Sequence, residues 1–520
     1  MKNARSVASI AGIVAIATLI SKVFGLVREM AIAAAFGVGP AVNAYAYAYV
    51  IPGFLLILLG GINGPFHSAL VTVLSRRDKS EAAVIVETVT TLVTGILLLV
   101  TVVLMVFGDT FIGFLAPGLA GETRVIAVEQ LQIMAPLAIL AGLIGIGFGT
   151  LNADDQYLLP SISPLFSSLA LVGAVALLFL QLGENITSAE YLQLGGRILA
   201  WGTLGGAILQ WLAQLIAQWR SGMGKLRLRF NWRVSGVGDV LKVMAPATLS
   251  SGMLHINVYT DLFFASYIEN AAAAMRYGNF IVLTPVGIIS NMILVPFLPV
   301  FSRLAAPENW PELKVKIRQG LLLTALTMLP LTAIFIALSQ PIVQVIYQRY
   351  GFDLDAVTVV APVLRAYGCG MFFYLGRDVL VRVFYALGDG ETPFKISSGN
   401  IFLNGVLDLV LVQVFATPGL VFATIGVNVV SMGLMLAILN RRLKGLPLKE
   451  WATALLGLTF ASGIAGFSSW GVSWGLVNWG PLLQLNIGIF VAIAVFSLIA
   501  LQLKLPEVDM LAQRIKQQFF

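Results

Sequence analysis

Charge is what this chain has least of: 11% of its 520 residues are Asp, Glu, Lys or Arg, against 58% hydrophobic. An ordinary soluble domain carries roughly a quarter charged residues, so a water-soluble fold of this length could not clothe its own surface. Cysteine is nearly absent. The single Cys369 lies inside an apolar run, which rules out an intrachain disulfide and a thiolate metal site. Two histidines, His67 and His255, complete a poor ligand inventory. There is no G-x-x-x-x-G-K-[ST] phosphate loop, so the chain carries no ATPase motor of that type. Any work it does must draw on an ion gradient, the membrane potential or substrate turnover. No loop holds a nucleophile–base set, and no segment between apolar runs is long enough for a soluble catalytic domain, so an enzyme is not expected. The net charge of +7 sits in short connecting loops rather than on one face, which argues against nucleic acid as a partner.

What the sequence has in quantity is apolar runs of about 18 residues or more, the length a helix needs to cross roughly 30 Å of hydrocarbon. A β-barrel would alternate over about ten residues, whereas runs such as 91–107 are apolar on every side. The fold class is therefore an all-α integral membrane protein of about 14 transmembrane helices. The predicted spans are 6–35, 41–74, 82–107, 124–150, 160–182, 191–219, 239–268, 272–302, 316–347, 356–387, 393–415, 419–440, 450–472 and 481–503. The first begins like a signal peptide, but its apolar stretch exceeds a signal's length and continues past Lys22 and Arg28, so it reads as a retained helix. Lys and Arg gather in alternate loops, at Arg76, Arg77 and Lys79, at Arg220 to Arg233, at Arg303 to Arg318 and at Arg441 to Lys444. Only Arg349 and, on a span boundary, Arg124 fall in the others. By the positive-inside rule both termini are expected in the cytoplasm. Topology and contact with anionic membrane lipids account for these clusters.

The longest basic loop follows six spans, which permits a parallel repeat. Pro52 with the later Leu74-Ser75-Arg76 resembles Pro285 with Phe301-Ser302-Arg303. The expected organisation is a six-helix lobe over 1–219, a basic cytoplasmic linker over 220–238, a second six-helix lobe over 239–440, and two further helices with a tail over 441–520. Such a plan places a central site between two lobes.

Ionisable groups inside spans are costly and mark where function should be sought. Lys22 and Glu29 lie seven apart on nearly one face of the first span, while Arg28 points about 100° away from Glu29 and is expected to need another partner. It either snorkels to headgroups or meets an anionic ligand. In the seventh span Asn257 and Asp261 share a face, beside His255; an interhelical hydrogen bond and a cation or proton site are both open, with Arg276 a partner for Asp261. The tenth holds Arg365, Arg377, Asp378 and Arg382; Asp378 and Arg382 are spaced to neutralise each other, which leaves Arg377 the less explained cation. Glu129 and Asp408 look isolated. Glycine and proline interrupt the second span, at Pro52, Gly60, Gly61, Gly64 and Pro65, and the eighth, at Pro285, Gly287 and Pro296, where bending would serve alternating access.

Four motifs resemble one family. Ser21-Lys22-Val23-Phe24-Gly25-Leu26-Val27-Arg28-Glu29 is similar to S-R-x-x-G-x-x-R-[DE], with Phe36-Gly37-Val38-Gly39 and Asn43-Ala44-Tyr45 after it. Asn63-Gly64-Pro65-Phe66 is similar to E-G-A-F, and Leu151-Asn152-Ala153 to an L-N-A stretch. Phe384-Tyr385-Ala386-Leu387-Gly388-Asp389-Gly390-Glu391-Thr392-Pro393-Phe394-Lys395 is similar to F-Y-A-x-x-D-x-x-T-P-x-K. On these the chain resembles the MurJ/MviN lipid II flippases, within the superfamily of multidrug, oligosaccharidyl-lipid and polysaccharide exporters.

The resemblance implies a flippase of the bacterial cytoplasmic membrane that moves lipid II, or a related polyprenyl-pyrophosphate-linked glycan, to the outer leaflet by alternating access. It implies membrane lipids and cell-wall synthesis enzymes as neighbours. No cofactor is implied beyond coupling to the membrane potential or a monovalent cation. Headgroup ligands would be Lys22, Arg28, Arg276, Asn43 and Asn63; charge balance or coupling would fall to Glu29, Asp261, Arg377 and Asp378. Gly25, Pro52, Gly64, Pro285, Asp389, Thr392 and Pro393 would serve the motifs structurally. The chain departs from the family pattern at Asn43 and Asn63, where the family has acids, at the apolar run 54–59 and at Phe280, where it has arginines, and at Asp154-Asp155, where the loop is basic. An exporter of another lipid-linked glycan, a cation-coupled drug antiporter and a non-transporting cell-wall scaffold are the alternatives.

Overall fold

The structure, a computed structural model, describes residues 7–61, 64–242, 244, 248 and 256–509. Among these, every regular element is a helix. Eleven helices are long and apolar enough to cross a membrane, or twelve if the pair Gly121–Met134 and Leu137–Ala153, bent by 41° at the Ala135-Pro136 junction, counts as one span. Most predicted spans correspond to helices: 356–387 to Leu354–Ala386, 393–415 to Glu391–Phe415, 481–503 to Pro481–Gln502. In the seventh, 239–268, residues 243, 245–247 and 249–255 lie outside the described residues, and helix stands on either side of them, over 239–242 and over Ile256–Ala265.

Two compact units emerge. The first comprises Met1–Ala273 with Arg349–Phe352, the second Ala274–Gln348 with Asp353–Phe520. In the first, the glycine-rich Leu137–Ala153 helix is the packing hub: it touches Pro40–Gly60, Pro65–Leu74, Lys79–Val106 and Leu192–Ser221. Lipid tails are as apolar as leucine, so helices in a bilayer associate through close backbone approach rather than through the hydrophobic effect. Gly145 provides that approach, because a methyl group there would run into the Leu59 carbonyl and Phe66. Leu58, Leu59, Phe66, Leu70, Leu74, Ile85, Val86 and Val89 form the core around it. The second predicted span breaks as its glycines suggest, ending at Gly60 and restarting at Pro65 with Gly64 as the cap. Pro52, by contrast, sits inside a continuous helix.

The segment Arg349–Phe352 packs within the first unit. The Gly351 N–H donates to the Ala34 carbonyl at 2.8 Å, and the Tyr350 ring lies 5.0 Å from that of Phe179. Gly37, at φ +55°, leaves room for this segment: a side chain there would strike the Gly351 carbonyl.

In the second unit the buried Leu354–Ala386 helix packs against Trp310–Ala337 and Thr417–Arg442. The eighth predicted span is not interrupted: Ala271–Arg303 runs unbroken through Pro285, Pro296 and Pro299. A proline removes one N–H bond, but neighbouring helices compensate for it in a membrane. The last two helices, Leu448–Gly475 and Pro481–Gln502, pair with each other. Ser469 Oγ donates to the Gly488 carbonyl at 2.9 Å, and Ser462 Oγ to the Leu329 carbonyl at 2.7 Å, which ties the pair to Trp310–Ala337. Hydroxyl bonds of this kind contribute about 0.6–2 kcal/mol each in bilayers.

Gly145→Ala should lower the thermal midpoint of the purified protein, since overpacking of this kind costs about 1–3 kcal/mol. Gly173→Ala, on Pro164–Leu182 with open space around its Cα, should leave the midpoint unchanged or raise it. Equal effects of the two would show that close approach at Gly145 is not what the hub depends on.

Candidate functional site

The first helix, Val7–Phe36, carries Lys22, Gly25, Arg28 and Glu29. The expectation that Arg28 cannot be neutralised by its neighbour is overturned. Arg28 Nη2 and Nε both reach Glu29 Oε1, at 2.9 and 3.3 Å. The 100° offset constrains the Cβ atoms, and the arginine stem is long enough to fold back across it. The Glu29 side chain is 1% exposed and that of Arg28 27%, so a buried carboxylate holds a guanidinium that still meets the surface. The Lys22 ammonium makes no ion pair among the described residues. Asn43 is committed to structure: its Oδ1 accepts the Ala273 N–H at 3.2 Å, and the side chain is buried. Asn63 and His255 lie outside the described residues. Lys22, Arg28, Glu29, Asn43 and Asp261 belong to the first unit; Arg276, Arg377, Asp378 and Asp389 belong to the second.

Two sequence motifs turn out to be packing partners. His67, on Pro65–Leu74, bonds Asn152 of the L-N-A stretch, Nε2 to Nδ2 at 2.8 Å. Just beyond it, Asp154 receives Lys79 Nζ at 2.6 Å, and Lys79 also donates to the Ser221 carbonyl at 3.1 Å. The acidic loop thus staples the turn after one helix to the start of a second and the end of a third.

The fourth motif builds a counterpart in the second unit. Asp389 follows Leu354–Ala386, after Gly388 at φ +74° reverses the chain. Its Oδ1 accepts the Thr392 N–H at 3.0 Å and its Oδ2 the Thr392 hydroxyl at 2.8 Å, capping Glu391–Phe415. Pro393 sits in that first turn, where a missing N–H costs nothing. Arg442, the last residue of Thr417–Arg442, donates Nη1 to Asp389 Oδ2 at 2.7 Å and Nη2 to the Leu387 carbonyl at 3.3 Å. Burial alone would raise the Asp389 pKa, but the two Thr392 donors and the Arg442 charge outweigh it and hold the carboxyl below its ordinary value. Sequence reasoning placed Arg442 only in a topology cluster. No local spacing could have revealed its partner 53 positions away.

In the tenth predicted span, the cation in contact with Asp378 is Arg377 rather than Arg382. Arg377 Nη1 comes within 3.8 Å of Asp378 Oδ1, and Arg377 Nη2 donates to Ser397 Oγ at 3.2 Å. Spacing four apart permits a pair, but here the adjacent arginine is closer. Glu129, expected to stand alone, accepts Arg197 Nε at 2.6 Å. Asp408 is fully buried and accepts from Asn404 Nδ2 at 2.9 Å, one turn above Asn400, which donates to Ser431 Oγ. No group of three or more His, Cys, Asp or Glu is placed to hold a metal among the described residues.

The description "Lipid II flippase MurJ" belongs to the family model that matches residues 32–490. A probable lipid II flippase MurJ of Synechocystis sp. is 62% identical over 528 residues, covering 100% of this chain and 98% of that relative. A lipid II flippase MurJ of Burkholderia cenocepacia is 26% identical, covering 87% of this chain and 88% of its own. Among solved structures, a lipid II flippase MurJ in an inward closed conformation superposes with a TM-score of 0.75 at 21% identity, covering 94% of this chain and 99% of that one. An inward-facing multidrug transporter of the MATE family superposes at 0.65 with 16% identity, covering 82% and 94%. At those identities the two likenesses show a shared fold.

The staple at Asp389 predicts a pH dependence with a definite sign. A carboxyl depressed on folding contributes fully above its unfolded value, about 3.9, and the contribution is lost as pH falls through the lower folded value. Asp389→Asn should therefore lower the thermal midpoint by a constant amount between neutral pH and about pH 5, with the difference from wild type shrinking below about pH 4. A difference that changes between pH 5 and 7 would contradict this assignment.

Proposed function

The chain belongs to the MurJ family of lipid II flippases, and we propose that it moves the pyrophosphate-linked headgroup of lipid II from the cytoplasmic to the outer leaflet by alternating access. The first-helix pair Arg28–Glu29 carries this reading. A planar guanidinium matches two phosphate oxygens at once, and one whose stem is pinned by a buried carboxylate gives up little freedom on binding. Lys22, two turns away on the same helix, adds charge without the fork. Arg276 is the further cation assigned to the headgroup, with Asp261, Arg377 and Asp378 setting charge balance. The polyprenyl tail needs no polar partner and can stay in lipid.

We further assign about fourteen spans, both termini in the cytoplasm, and a place in the bacterial cytoplasmic membrane. The distribution of Lys and Arg supports this orientation, and the external-side cation Arg124 is neutralised by Asp109 at 2.9 Å. Drive comes from the membrane potential or a monovalent cation. The buried Asp408, with Asn404 and Asn400 stacked along its helix, is the place in the second unit where a coupling cation would find oxygen ligands. Cell-wall synthesis enzymes are the neighbours that would take the product.

In a strain depleted of its own lipid II flippase, this gene should restore growth and the exposure of lipid II to an external probe. Arg28→Ala should reduce that exposure by about tenfold or more, the loss expected for one charge-assisted bidentate contact, and Arg28→Lys by less. Full rescue by Arg28→Ala would remove Arg28 from the mechanism. Drug resistance without rescue would favour an exporter of other cargo.

A further inference from the structure

The basic stretch after Leu192–Ser221 is not a loose connector. It leaves that helix through Gly222 in the left-handed region, runs without regular structure over residues 227–231 and turns again near Gly236, at φ +97°. Both its ends are anchored, since Met223, Val237 and Val240 lie buried in the first unit's core. Between them basic and apolar residues alternate: Lys225, Arg227 and Arg229 against Leu226, Leu228, Phe230 and Trp232. The backbone and the Arg229 side chain lie against Lys79–Val106, where buried Glu87 accepts the Lys225 N–H at 3.0 Å and Arg229 Nε at 2.6 Å, and Thr91 Oγ1 accepts the Arg229 N–H at 3.0 Å. The helix thereby satisfies backbone groups that an isolated strand would leave open, a requirement near hydrocarbon. The other side is bare: Leu226, Leu228, Phe230 and Trp232 are 59–80% exposed.

The position along the helix matters. Lys79–Val106 has 28 residues, about 42 Å at 1.5 Å each, against roughly 30 Å of hydrocarbon. Glu87 therefore falls within about one helical turn of the hydrocarbon boundary on the Lys79 side. Four large apolar side chains at that depth would face acyl chains rather than water. Beside them, the side chains of Arg220, Arg227 and Arg233 make no hydrogen bond or ion pair among the described residues, and Lys225 Nζ stands 5.9 Å over the Trp219 ring.

We propose that residues 225–232 are a lipid-seated strap: Leu226, Leu228, Phe230 and Trp232 insert at the headgroup–acyl boundary of the inner leaflet, and Arg220, Arg227 and Arg233 bind anionic phospholipid headgroups. An anionic bilayer surface supplies both the apolar bed and the negative charge that this face requires. Glu87 is the positioning residue, since it fixes which side of the strap meets lipid. The orientation rests on the cytoplasmic placement of this loop proposed above, whereas the test reads immersion and not transport, so the two can fail separately.

Spin labels placed one at a time at Leu226, Arg227, Leu228 and Phe230, in the full chain with Cys369→Ser as background, test this. The protein is reconstituted in vesicles of phosphatidylcholine alone or mixed with phosphatidylglycerol. Collisions with oxygen over those with a water-soluble nickel complex should be high at 226, 228 and 230 and low at 227. The immersed population should grow about fivefold per engaged arginine when the anionic lipid is added, and replacing Arg220, Arg227 and Arg233 with Gln should abolish that increase. Uniform access to nickel, or immersion indifferent to lipid charge, overturns the proposal. Labels shielded from both agents would mean a protein partner or second copy covers the strap, and would overturn it as well.

Discussion

A bilayer offers no water to a charge or to a backbone dipole, and that constraint governs this molecule. One answer recurs in several of its ion pairs: the carboxylate goes in and the cation stays at the rim. Glu29 beneath Arg28, Glu87 beneath Arg229, Asp154 beneath Lys79 and Glu507 beneath Arg318 are each less exposed than the cation they hold. The geometry has a simple origin. A carboxylate sits on a short stem and is carried wherever its helix packs, whereas arginine and lysine have stems long enough to reach it and still touch a polar phase. The result is a set of guanidiniums and ammoniums presented at fixed places, which is what recognition of a phosphate-bearing lipid requires.

Both units use the same mechanical device at the end of a long helix. Asp154 after Leu137–Ala153 and Asp389 after Leu354–Ala386 each bind a cation from another helix of their own unit. These staples hold loop turns, so bending has to occur within helices rather than at these ends. The helix end at Gly60, the helix start at Pro65 and the bend before Leu137–Ala153 are places where the first unit already departs from straight helices. Ala271–Arg303 keeps its prolines within an unbroken helix, with room to flex where N–H bonds are missing.

The helices were legible because hydropathy acts locally: a run such as 91–107 has only one way to satisfy its backbone in lipid. The F-Y-A-x-x-D-x-x-T-P-x-K motif was legible in part, since Asp389 and Thr392 lie within one turn. The charge pairs were not. Glu87 meets Arg229 at 142 positions' remove and Glu129 meets Arg197 at 68, and no periodicity carries that information. Where helical spacing was used at Arg28 with Glu29 it misled, because angular position on a wheel ignores how far an arginine can fold back. The linker misled differently, since its alternation, read as mere positive charge, proved to be a folded strap on Lys79–Val106.

The account stands on Glu29 acting through Arg28 on a phosphate-bearing lipid. A double-substitution cycle measures this directly: flipping of labelled lipid II by the purified protein in vesicles, compared for wild type, Arg28→Gln, Glu29→Gln and both together. If the buried carboxylate serves only to hold the guanidinium, the double variant should be no slower than Arg28→Gln alone, to within about threefold. Losses that multiply would show two independent roles and contradict the account.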